Sequence, residues 1–212
     1  MPDTITTLFV GAVGGAVAAA IQYGFRRLAE AEQVRREIVE RQLLQLQDAV
    51  ESLYYRANNL RDWAGKAVMS EVYYRQTSAY AIGRVLAHAS LLVSTGVYAK
   101  LRRDALLKHE IKARLHALDR AMDDQSFLHY HRVQLGEMAL DGERVLGYTA
   151  FLARWPEARF ADATESVSRF LQAVAPERLD AMRREAERLI ALLSRQTSVP
   201  SALALAGEGT QQ

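Results

Sequence analysis

The chain has 212 residues, a formal net charge of +2 and no cysteine. That length suits one large domain or two small ones, and the lack of cysteine excludes disulfide scaffolds, iron–sulfur ligation, cysteine zinc sites and thiol catalysis. Four prolines and 12 glycines argue against a fibrous or disordered chain, and 27 basic against 25 acidic residues give no nucleic-acid footprint.

The even average hides an asymmetry. From Thr4 to Phe25 no residue is charged. Those 22 residues suffice for a membrane-spanning helix, which needs about 20. Asp3 precedes the stretch, Arg26 and Arg27 follow it, and Tyr23 and Phe25 stand where aromatic residues favour the interface. The positive-inside bias places the short N-terminus outside and the bulk of the chain in the cytoplasm. A cleaved signal peptide would carry a basic leader where this chain has Asp3. The third reading of the stretch is a Gly/Ala-rich helix buried in an oligomer or inserted conditionally. Gly11, Gly15 and Ala19 recur every four residues, a spacing that lets two helices approach closely in lipid.

The remaining periodicity is helical, and no strand-like alternation is visible. Arg26 to Val68 reads as one long helix. Val39, Leu43, Leu46, Val50, Leu53, Ala57, Leu60 and Ala64 form a heptad seam that pairs either within the chain, as in a bundle, or between chains. The second helix starts near Ser70, with Glu71 in its first turn, and runs to about Ser94. Between Ala79 and Val93 it is apolar nearly all round, which predicts a buried central helix. Arg84 and His88 in its middle oppose a second membrane span. Tyr73, Tyr74, Tyr80 and Tyr98 are expected to pack their rings and send their hydroxyls to partners. Further helices are predicted over Asp104–Asp123, Ser126–Leu140, Arg144–Arg154, Ala163–Val174 and Glu177–Arg195, with Pro176 in the first turn of the last. Residues 196–212 read as a mobile tail. The expected division is therefore 1–25 membrane segment, 26–68 seam helix, 69–195 bundle core packing with 26–68, and 196–212 tail.

Few residues suggest chemistry. His109-Glu110 lacks a second histidine at zincin spacing, and His129 and His131 diverge on a helix, so no metal or cofactor site is expected. P-loop, dinucleotide-binding and nucleophile-elbow motifs are absent. Arg84 and His88 make a polar pair on an apolar helix. A buried arginine needs a carboxylate, for which Glu137 and Glu71 are the candidates, giving either a core salt bridge or a pocket around Arg84, His88 and Glu137. Lys100, Arg102, Arg103, Lys108, Lys112 and Arg114 form a basic stretch of net +4 against Asp104 and Glu110. It reads as a solvated face or a contact for anionic lipid, too short for specific nucleic-acid binding.

Tyr73–Leu92 (YYRQTSAYAIGRVLAHASLL) and His131–Leu140 (HRVQLGEMAL) resemble a bacterial family, itself uncharacterised. Its members have one N-terminal membrane helix and a helical cytoplasmic domain. The resemblance implies architecture and carries no activity. The expectation is an all-α protein: an N-terminal single-pass membrane helix followed by a cytoplasmic helical bundle at the bacterial inner membrane. Its partners would be the lipid bilayer, further copies of the same chain and a protein partner. The leading function is a non-enzymatic, self-associating scaffold or interaction module. The alternatives are a membrane effector of a stress or phage-defence system that oligomerises through its N-terminal helix, and a ligand sensor or enzyme using Arg84, His88 and Glu137.

Overall fold

A computed structural model describes residues 21–34, 36–37, 42–62, 70–101, 105–197 and 199–201. The described secondary structure is mostly helical, as expected. The chain divides into two compact units, residues 1–38 and 39–212. The division falls inside the stretch 26–68 that was expected as one helix.

In the first unit, residues 21–34 and 36–37 are helical. The charged side chains pair along the helix, Arg26 with Glu30 at 3.3 Å and Arg36 with Glu32 at 3.2 Å. Tyr23 accepts a hydrogen bond from Arg27 Nε at 2.9 Å. Gly11, Gly15 and Ala19 lie outside the described residues, as does most of the uncharged stretch. Among the described residues, no helix is long and apolar enough to cross a membrane.

The second unit contains α1 (Leu44–Asp62), α2 (Glu71–Ser94), the short α3 (Val97–Lys100), α4 (Ala105–Ala121), α5 (His129–Met138), a hairpin of β1 (Leu140–Asp141) and β2 (Arg144–Val145), α6 (Tyr148–Ala153), a 3-10 turn (Ala158–Phe160), α7 (Ala161–Ala173) and α8 (Pro176–Thr197). The seam packs within the chain: Leu43, Leu46, Val50, Leu53 and Ala57 are buried where α1 lies against α8 and α2. Val39 and Ala64, its two ends, lie outside the described residues. The other face of α8 rests on α4, so α8 is held between two helices by Leu179, Met182, Leu189, Ile190 and Leu193. Ion pairs edge both contacts, Arg61 to Asp180 at 2.9 Å and Arg114 to Glu185 at 3.9 Å.

The central helix α2 is capped as its sequence requires. Ser70 Oγ accepts the Tyr73 backbone N–H at 3.3 Å, Glu71 stands in the first turn, and Gly96 takes φ 69° just past the end. It packs on α1, α5, α6 and α7. The close crossing with α5 has a glycine on each helix. A Cβ on Gly83 would meet the Leu135 carbonyl oxygen at 3.2 Å and Phe151 at 3.3 Å, and one on Gly136 would meet the Leu86 Cβ at 3.1 Å.

Three expectations change. The helix expected over Ser126–Leu140 starts only at His129, because Phe127 turns into the core and Asp124 and Ser126 make a turn before it. A small hairpin forms where no strand was expected. Leu140 pairs with Val145 and Asp141 with Arg144 around Gly142 at φ 58°, strands too short to show alternation in sequence. The expected tail is packed at its start: α8 runs to Thr197, whose hydroxyl donates to Gln47 Oε1 at 2.8 Å, and Ser201 is buried.

The Gly136 contact gives a stability prediction. Gly136→Ala gains about 1 kcal/mol of helix propensity and loses a comparable amount to crowding, so it should be near neutral. Gly136→Val should lower the unfolding free energy by about 2 kcal/mol or more. Urea denaturation of the full chain followed by circular dichroism reads both, and a valine variant of unchanged midpoint would show that the helices do not cross this tightly.

Candidate functional site

The predicted polar trio does not assemble. Arg84 reaches back to α1, where its Nη2 meets Asp48 Oδ2 at 2.5 Å and its Nη1 lies 3.4 Å from Ser52 Oγ. Its guanidinium carbon stands 5.8 Å from the Tyr80 ring centre, and the Tyr80 hydroxyl donates to the Leu146 carbonyl at 3.0 Å. The carboxylate that pairs with Arg84 is thus Asp48. Glu71 sits at 3.9 Å from Arg75, and Glu137 is exposed on α5. Asp48 escaped the sequence reading because it stands on the charged side of the seam helix, 36 residues away, with no local signal linking it to Arg84.

His88 is 3% exposed, and its Nδ1 has no hydrogen-bond partner among the described residues. Burial, reinforced by the neighbouring Arg84 charge and opposed by Asp48, lowers its pKa to about 4. The folded protein therefore holds His88 neutral at physiological pH.

The densest polar construction is one that the sequence reading missed. Arg132 on α5 has a side chain 3% exposed. Its Nε and Nη2 clasp Asp119 at 2.7 and 3.1 Å, while Nη1 reaches Asp123 Oδ1 at 2.8 Å and the Phe127 carbonyl at 2.6 Å. Burial alone would lower its pKa, but the hydrogen bonds and charges of Asp119 and Asp123 outweigh it and raise the value. Phe127 itself stacks on Phe170, with ring centres 5.2 Å apart, so the corner between α4 and α5 is tied by both polar and apolar contacts. The available signal was Asp119 in the last turn of α4 and Asp123 two residues past its end, followed by an arginine one turn into the next helix.

Beside this corner α2, α4 and α5 enclose an open cavity of about 360 Å³. Leu86, Leu118, Met122 and Val133 supply apolar wall, and His116, Asp119, His129 and Glu137 supply polar edge. His129 Nδ1 lies 3.5 Å from Asp119 Oδ2, whereas His131 turns away and accepts the Leu128 N–H at 3.2 Å. The two histidines diverge as helical spacing requires, and no cluster able to hold a metal is found among the described residues. Glu137 is the one member of the predicted trio at this cavity.

The predicted basic surface is only partly described. Arg102 and Arg103 lie outside the described residues, and Lys100 ends α3. Lys112 stands 4.8 Å from the Tyr98 ring centre, and Arg114 is engaged with Glu185. No protein-family model matches the chain, and no curated protein or solved structure matches it either.

Two measurements test the polar sites. Arg132→Met leaves two carboxylates and a carbonyl without their donor and should cost about 3 kcal/mol in urea denaturation. For His88 the unfolded chain binds the proton first as pH falls, its usual value being 6.5 against about 4 in the fold. Stability is therefore lost between pH 6.5 and 4, by about 3 kcal/mol in all. His88→Leu should remove that part of the slope, and parallel profiles for variant and parent would refute the assignment.

Proposed function

We propose that the chain is a membrane-anchored, self-associating helical interaction module, with its bundle on the cytoplasmic side of a bacterial inner membrane. The observation that carries this reading is an apolar stripe without cover. Ile21, Phe25 and Leu28 follow i, i+4, i+7 spacing on one helix face and are 54%, 69% and 63% exposed. The stripe continues directly from the uncharged sequence of residues 4–25, and Arg26 and Arg27 stand where a cytoplasmic anchor flank belongs. The Gly11, Gly15 and Ala19 spacing supplies a surface for pairing in lipid. The family that residues 73–92 and 131–140 resemble shares the plan of anchor and helical domain.

Carbonate extraction of expressing membranes followed by light scattering of the detergent-solubilised protein tests both halves. The protein should stay in the membrane pellet and elute with a mass of two or more copies at micromolar concentration. Gly15→Ile combined with Phe25→Ser should reduce the mass without releasing the protein from the pellet. Recovery in the carbonate supernatant would refute the anchor, and a monomeric mass for the parent chain would refute self-association.

A further inference from the structure

The cavity between α2, α4 and α5 carries an inference independent of the membrane reading. Its volume of about 360 Å³ falls within the range of small-molecule sites, about 300–1,000 Å³. Apolar side chains from all three helices form the walls, among them Val85 and Leu86 of α2, Leu115 and Leu118 of α4, and Val133 of α5. An apolar interior with a few polar groups at one edge is the usual design of a site that takes an amphipathic ligand.

The charge at the edge selects the sign of that ligand. Arg132, the one lysine or arginine among the described lining residues, is spent on Asp119 and Asp123. Glu137 makes no ion pair among the described residues and is exposed beside the cavity. The lining thus holds one positive and two negative groups, Arg132 against Asp119 and Glu137, before Asp123 just outside it is considered. A carboxylate or phosphate entering this edge meets net negative charge, whereas an ammonium group gains a free carboxylate. The imidazoles of His116 and His129 are also in the lining and offer nitrogen acceptors to further N–H groups.

We propose that this cavity binds a small amphipathic organic cation, a primary aliphatic or aralkyl amine. Its hydrocarbon part lies against Leu86, Leu115 and Val133, and its ammonium group pairs with Glu137. Met122 is among the residues at the cavity and is itself fully buried, so its methyl group reports occupancy from behind the wall, and Met182 on α8 is not among them.

The full chain, labelled with ¹³C-methyl methionine and kept in one mild detergent throughout, is titrated with phenethylamine, 2-phenylethanol and 3-phenylpropionate. Phenethylamine should shift the Met122 methyl resonance saturably and leave Met182 in place. It should bind several-fold tighter than the alcohol and about tenfold tighter than the carboxylate. Glu137→Gln, at an exposed position, should weaken amine binding about fivefold, and Val133→Trp, which fills the cavity from its exposed edge, should abolish the shift. The proposal is overturned by the absence of a saturable Met122 shift, by equal affinity for amine and carboxylate, by unchanged affinity in Glu137→Gln, or by a shift that survives Val133→Trp.

Discussion

The bundle depends on how closely α2 and α5 cross. Hydrogen atoms at Gly83 and Gly136 stand where any side chain would press on Leu135, Phe151 or Leu86. A helix of 10 residues such as α5 has little stability of its own in water, so its position is set by what it touches. The crossing seats α5 on α2 with one flank turned to α4 and the other to the hairpin and α7. Arg132, on the first flank, is thereby carried to within reach of Asp119 and Asp123. The cavity follows from the same arrangement, since it occupies the space that α4 leaves beside a tightly joined α2–α5 pair.

Two buried polar groups show how differently one interior treats charge. Arg132 keeps its charge because three acceptors, two of them ionised, replace the water it has lost. His88 has no partner for its Nδ1 and an arginine nearby, so it stays neutral. Both lie in the same low-dielectric core, and the difference is one of supply. Asp119 and Asp123 are placed by a helix end that points at Arg132, whereas Asp48 is already taken by Arg84. Arg132 therefore acts as a structural rivet, and His88 as a weak point in acid.

Legibility followed the reach of each signal. Helix positions came through because they are written in spacing: the seam from Leu43 to Ala57, the Ser70 cap and Pro176 in a first turn. The seam also proved readable as an intramolecular surface once its partner α8 was in view. Side-chain pairing across the bundle was not readable, because Arg84 chooses between Asp48 and Glu137 by the relative rotation of three helices, which no local pattern records. The hairpin was too short for periodicity to act. Arg132 was hidden by its own helix, where an arginine between His131 and Val133 resembles an ordinary surface residue until Phe127 and the two aspartates close over it.

The bundle's first and last long helices are partners. Gln47 at the start of α1 meets Thr197 at the end of α8, 150 residues later in the chain. During synthesis α1 leaves the ribosome first and waits for its partner until α8 has been made. At about 5–20 residues per second, that interval lasts on the order of ten seconds. Throughout it Leu43, Leu46, Val50 and Leu53, all buried in the finished fold, lack the α8 side of their cover. The nascent protein thus carries an open apolar seam until the last of its long helices has been translated.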